Sequence, residues 1–264
     1  VNVAEAAQTM NVVVYSTTTN KDGAFATEVL RNVELDGGVL ATVTMADLNE
    51  FPEGYDYVSG LPGRITAGAT PEVVVVVAES AGVDHVANVS ELTTALADPS
   101  TDTIYLAENT TYALTSSLSV TGGVEIIGNG ATIQAPASGN VMVLTGSADV
   151  TISDVVFTGG TSSQYYIQSG NSGDVTVKNC VFNGGRYGVY LDTASSGEIS
   201  GCTFSNWGKA AIGLEDLTGN VEISNNTYNV ADSVVAIEYV ANVKNYITGT
   251  DFATLEENGQ TNEI

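Results

Sequence analysis

Val150-Thr-Ile-Ser-Asp-Val-Val-Phe157 is followed by Val175-Thr-Val-Lys-Asn-Cys-Val-Phe182, Gly197-Glu-Ile-Ser-Gly-Cys-Thr-Phe204 and Val221-Glu-Ile-Ser-Asn-Asn-Thr-Tyr228. A looser copy ends at Phe252, so the aromatic recurs at steps of 25, 22, 24 and 24 residues. A period of that length marks one supersecondary unit per repeat, which buries its apolar face only by stacking on its neighbours. Within each copy the apolar residues alternate, the spacing of a strand with one face inward. The alignment predicts one inward ladder of Ile152, Val177, Ile199, Ile223 and Ile247, and a second of Phe157, Phe182, Phe204, Tyr228 and Phe252. Asn179 and Asn225 share a turn slot, where asparagine tolerates a left-handed backbone.

Upstream, Val86–Leu96 reads as a short helix with Ser90 as its N-cap and Glu91 near the positive end of its dipole. Asp102-Thr-Ile-Tyr-Leu106, Thr111-Tyr-Ala-Leu114, Leu118-Ser-Val120 and Val124-Glu-Ile-Ile-Gly-Asn-Gly-Ala-Thr-Ile133 follow. This order of capping helix and short strands, continued by the repeats, resembles right-handed parallel β-helix proteins of the pectate-lyase-like group over residues 84–264. The resemblance implies an all-β fold, a right-handed single-stranded parallel β-helix of about six coils, with Thr254–Ile264 left to cap the open end. It does not fix a chemistry, because that architecture hosts lyases, hydrolases, adhesins, tailspikes and structural modules.

Residues 1–10, VNVAEAAQTM, read as an N-terminal arm, and residues 11–80 as a small β-rich domain. Its expected strands are Asn11–Ser16, Ala26–Glu34, Val39–Met45, Tyr55–Ser59 and Glu72–Ala78, punctuated by Gly, Pro and Asp turns. Phe51-Pro-Glu-Gly-Tyr55 followed by a valine-rich last strand resembles the β-grasp-like or Ig-like (β-sandwich) modules of bacterial surface proteins. Val73–Val77 is an unbroken valine run, which suits a strand covered on both faces and paired on both edges, by this chain or by a donated strand. Ala81-Gly82 reads as the hinge to the β-helix.

The chain has 264 residues, with 7 basic against 31 acidic side chains and a net charge of −24. That charge repels phosphate backbones and anionic lipid, so nucleic acid is a poor partner. No run of 18 apolar residues is present to insert in a membrane. Few lysines and many Ser, Thr, Asn, Gly and Tyr point to an extracellular or cell-surface setting. Cys180 and Cys202 fall in one inward slot of successive repeats. Stacked strands lie ~4.8 Å apart while disulfide Cβ atoms want ~3.8 Å, so a buried thiol ladder is expected. His85 is the only histidine, which leaves no His-based metal cluster or triad.

One outward ladder is the candidate for chemistry, with solvated surface charge as the alternative. Val189-Tyr-Leu-Asp192, Ile212-Gly-Leu-Glu215 and Ala236-Ile-Glu238 place Leu191, Leu214 and Ile237 inward, and send Asp192, Glu215 and Glu238 outward at spacings of 23. Arg186 and Lys209 lie just upstream. Carboxylates stacked so closely raise one another's pKa, can act as acid and nucleophile on a glycoside, or can bind Ca2+, the one cofactor this chain suggests. Tyr165, Tyr166, Tyr187, Tyr190 and Trp207 gather on two coils, and Tyr190 and Trp207 are the candidates for stacking on a glycan. The reading favoured by these features is an extracellular structural or adhesive surface protein. It would self-assemble as a homo-oligomer or polymer, in a filament or layer, through strand donation and β-helix ends. The alternatives are a polysaccharide lyase or glycoside hydrolase at the carboxylate ladder, and a glycan-binding module without turnover.

Overall fold

The computed structural model describes residues 11–16, 27–31, 42–43, 53–61, 63–64, 72–194, 196–229 and 235–264. The expected arm over residues 1–10 lies outside them. The chain divides into two units, Val1–Val83 and Asp84–Ile264.

In the first unit, four strands form a sheet in the order Thr27–Arg31, Asn11–Ser16, Glu72–Glu79, Tyr55–Ser59. The valine strand sits inside it, parallel to Asn11–Ser16 and antiparallel to Tyr55–Ser59. Strands of the same chain therefore pair both its edges, and no donated strand is needed there. Its alternation differs from expectation: Val73, Val75 and Val77 are buried, but Val74 is 45% exposed. Among the described residues the run buries one face fully, since pairing both edges of a strand does not by itself cover its second face.

The second unit is a parallel β-helix whose three faces are sheets of seven, eight and six strands. Each coil visits the eight-stranded face (Val150–Ser153), the six-stranded face (Val156–Gly160) and the seven-stranded face (Tyr165–Asn171) before the next coil begins at Val175. Register is kept by residue type: Ile104, Ile126, Ile152, Val177, Ile199 and Ile223 pair in one line. All six are fully buried. Phe157, Phe182, Phe204 and Tyr228 form the second line, with ring centroids 5.0, 4.9 and 5.5 Å apart and planes within 10° of parallel. The corner between these ladders is a column of left-handed residues: Asn129, Asp154, Asn179, Gly201 and Asn225 all have positive φ. At Gly201 the space a Cβ would take is filled by Asn179 Oδ1, 2.4 Å from that position, so a side chain there would have to displace the asparagine amide. Cys180 and Cys202 are buried free thiols in the expected slot. The Cys202 sulfur beside it, together with burial, pushes the Cys180 thiol well above its ordinary range.

Both ends depart from the sequence reading. The first helix, α1, spans Val89–Ala97, and its N-cap is Asn88, not Ser90. Asn88 Oδ1 accepts from the Glu91 N–H at 3.0 Å, and Glu91 Oε2 accepts from the Ala87 N–H at 2.8 Å. The pair is a variant of the capping box: asparagine is the cap, and the glutamate three residues on takes the amide just before the cap instead of the cap's own. Asn88→Ala is expected to cost about 1 kcal/mol while Ser90→Ala costs a few tenths, read as the shift in a thermal melt. At the other end, Ile247 pairs with Val221 and not with Ile223. Phe252 belongs to a helix, α2 (Thr250–Glu257), and meets Tyr239 edge-on at 5.4 Å without joining the aromatic stack. The helix buries Phe252 and Leu255, and Thr261–Glu263 then returns as the last strand of the seven-stranded face. No described helix is long and apolar enough to cross a membrane.

Candidate functional site

The predicted carboxylates all point outward from the seven-stranded face, but only two share a column. Asp192 pairs with Glu215 and Leu191 with Leu214. One coil later Ile237 pairs with Ile212 and Glu238 with Gly213. The step between those isoleucines is 25 residues, so the 23-residue count slid Glu238 two places along its strand. Among the described residues, no three His, Cys, Asp or Glu side chains gather as a set that could hold a metal ion. The expected triad of Asp192, Glu215 and Glu238 is therefore not assembled as one Ca2+ site.

Glu238 is instead 4% exposed and held by partners from two earlier coils. Its Oε1 accepts from the Tyr187 hydroxyl at 2.6 Å and pairs with Lys209 Nζ at 2.5 Å. The intervening coil lets this happen because it carries Gly213. A Cβ there would lie 2.5 Å from Tyr190 Cδ2 and 2.8 Å from Tyr187 Cε1, so the two rings fill the space a side chain would take. Tyr187 thus crosses one whole coil to reach a carboxylate 51 residues ahead. Burial first, then the bond to Glu238 and its charge, push the Tyr187 hydroxyl far up, so it stays a donor. Lys209 Nζ and the Arg186 guanidinium also lie over the Tyr187 ring, at 5.8 and 5.7 Å.

Tyr190 makes the parallel contact one column over, donating its hydroxyl to Glu215 Oε2. Its pKa is raised by burial and then by that carboxylate. Tyr165 stacks on Tyr187 at 5.1 Å and meets Tyr190 edge-on at 5.2 Å, which completes a three-ring shelf. The other aromatics of the sequence cluster are elsewhere. Tyr166 is fully buried beside Phe157 and Phe182. Trp207 donates its indole N–H to Val235 O at 2.8 Å and packs on the core, so its polar handle is already used. His85 stacks on Tyr105 at 4.8 Å, away from the shelf.

Asp192 is the carboxylate left with like-charged neighbours. Burial, then the charges of Glu215 and Asp216, raise its pKa above the ordinary aspartate value. A folded-state pKa above the unfolded value of ~3.9 means this group favours the fold below that pH. That contribution is lost as pH rises through the folded value. Asp192→Asn is accordingly expected to stabilise the chain slightly at neutral pH, by about 0.5 kcal/mol or less. The gain should vanish in melts run below pH ~4.

The "Right handed beta helix region" family matches residues 100–263. The chain belongs to the right-handed β-helix family. The match agrees with the three parallel sheets and covers the whole shelf. Among curated proteins no relative matches the chain. A solved structure of L. reuteri 53608 SRRP is similar at 14% identity and a TM-score of 0.32, over 69% of this chain and 95% of that one. Sequence reasoning found the outward carboxylates of this β-helix but missed Tyr187, Lys209 and Gly213 as the elements that engage one of them. The signal available was Gly213 itself, a glycine inside a strand pattern, which marks a close approach of other groups.

Proposed function

We propose that this β-helix is a non-catalytic structural or adhesive module of an extracellular or cell surface. The observation that carries the reading is the closure of the seven-stranded face on itself. Glu238 is buried against Lys209 and Tyr187, and Glu215 takes the Tyr190 hydroxyl. A general acid or nucleophile must reach a substrate oxygen or anomeric carbon. Glu238, at 4% exposure, lacks the access for that role. The surface setting is supported by the residue balance, rich in Ser, Thr, Asn and Gly with seven basic side chains.

A second reading, a glycan-binding module without turnover, is favoured by one observation. Tyr165 and Tyr190 stay partly exposed beside Asp192, and an aromatic ring with a neighbouring carboxylate suits a sugar face and its hydroxyls. The two are separated from an enzyme by one experiment. The folded chain is incubated with neutral and uronate polysaccharides, and new reducing ends and unsaturated uronate products are measured. No product is expected. Turnover that is lost in both Asp192→Asn and Glu215→Gln would overturn the non-catalytic reading.

A further inference from the structure

The Tyr187–Glu238 pair holds a cation, and the Tyr190–Glu215 pair beside it does not. In the first, the Tyr187 hydroxyl donates to Glu238 Oε1 at 2.6 Å, and the same oxygen takes the Lys209 ammonium at 2.5 Å. That ammonium also lies 5.8 Å from the centre of the Tyr187 ring. Carboxylate, tyrosine and ammonium form one unit, in which the ion pair and the negative face of the ring attract the cation together. In the second pair the Tyr190 hydroxyl donates to Glu215 Oε2, and Asp192 stands on the adjacent rung. Tyr165 meets the Tyr190 ring edge-on at 5.2 Å. Among the described residues no cation joins these two carboxylates and two rings. Lys178, Lys209 and Lys244 are ion-paired with Glu198, Glu238 and Glu256, and the Arg186 guanidinium lies over Tyr187.

Tyr165, Tyr190, Asp192 and Glu215 are all partly exposed, so a cation can reach them from solution. A metal ion does not fit, since no three ligating side chains among the described residues gather around one point. An organic ammonium does fit, because it needs a carboxylate and a ring face and not a closed shell of ligands. Gln168 bears on what carries that ammonium. It lies next to Tyr190 in the same outward column, one coil earlier. Its Oε1 accepts from Asn140 Nδ2, which leaves its amide N–H groups to donate. Donors beside an aromatic face suit a sugar ring with hydroxyls better than the bare methylene chain of a lysine.

We propose that this corner binds an amino sugar through its free ammonium group. The ammonium takes toward Asp192 and Glu215 the place that Lys209 takes toward Glu238, and the sugar ring lies against Tyr165 and Tyr190. The proposal rests on the reading of the shelf as a glycan-binding surface without turnover, and assigns that surface its ligand class. It also gives Asp192 a use, since a carboxylate crowded by Glu215 and Asp216 gains from an external cation.

Titration of the full chain with three small probes tests it, followed by NMR shifts or calorimetry. The probes are methyl glucosaminide, methyl glucoside and Nα-acetyl-lysine amide. The two sugars differ only in an ammonium against a hydroxyl. The glucosaminide is expected to bind about 5-fold more tightly than the glucoside, and Asp192→Asn or Tyr165→Ala should each remove most of that affinity. Glu125→Gln on the eight-stranded face removes the same unit of charge far from the corner and should change nothing. That control separates the corner from the general attraction of a chain of net charge −24 for any cation. Thermal melts show that each variant is folded. Equal binding of the two sugars, unaffected by Asp192→Asn, would overturn the ammonium assignment and leave the glycan reading standing. Tighter binding of the lysine amide would give the corner to a protein side chain and overturn the sugar. An equal loss from Glu125→Gln would reduce the effect to net charge. Failure of both sugars to bind would sink the proposal and the glycan reading together.

Discussion

Phe182→Ala is expected to destabilise the β-helix by about 3–5 kcal/mol, a fall in Tm of roughly 6–20 °C for a unit of this size. The ring is 1% exposed and sits between Phe157 and Phe204, with Tyr166 tilted against it at 6.1 Å. Truncation removes its own transfer free energy and strips one contact face from each of three neighbours. The hole cannot collapse along the helix axis, because backbone hydrogen bonds hold adjacent rungs ~4.8 Å apart. Tyr228→Leu, at the open end of the stack, should cost less than half as much, since it has a stacked ring on one side and neighbours that can relax. Chemical denaturation of the two variants beside the parent checks this. A Phe182→Ala loss below about 1 kcal/mol would mean that the ladder does not transmit packing from coil to coil.

The same ladder shows why the fold was legible and where legibility stopped. A repeat writes each inward position several times, so Ile152, Val177, Ile199 and Ile223 vote together and one ambiguous coil does not matter. At the ends that redundancy is gone. Ser90 and Asn88 are both good caps, and only the backbone decides which one takes a first-turn amide; here Asn88 takes that of Glu91. Phe252 kept the period to the residue but not the conformation. Thr250–Glu257 satisfies its own backbone as a helix and still turns its aromatic ring to the core.

Outward residues lack even the inward votes. Parity alone sent Asp192, Glu215 and Glu238 to the outer surface, and parity was right. Register was not recoverable from counting, because loop lengths vary between coils: Val189 pairs with Ile212, 23 residues on, but Ile212 pairs with Ile237, 25 residues on. A slip of two residues keeps parity and inward hydrophobicity while changing every outward neighbour. Glu238 thereby left the carboxylate column and entered the tyrosine column, where Gly213 makes room for the contact.

Lys209→Met is expected to cost about 3 kcal/mol, because it leaves a 4%-exposed carboxylate with only the Tyr187 hydroxyl for a partner. Glu238→Leu should cost less, since the Lys209 side chain is 38% exposed and its ammonium can turn to water. The double variant should return to within about 1 kcal/mol of the parent, as replacement of a whole buried pair by apolar groups commonly does. That non-additivity is the decisive quantity, and a double-mutant cycle in denaturant measures it. Additive losses would make the pair two independent solvated charges and reopen Glu238 as a candidate acid. Tyr187→Phe refines the result: it keeps the ring over Gly213 and removes only the donor, so its loss should be about 1–3 kcal/mol. The loss should also be smaller in the Glu238→Leu background, where no acceptor remains. A carboxylate held by side chains from two earlier coils acts by tying three coils together, which is a structural task and not a catalytic geometry.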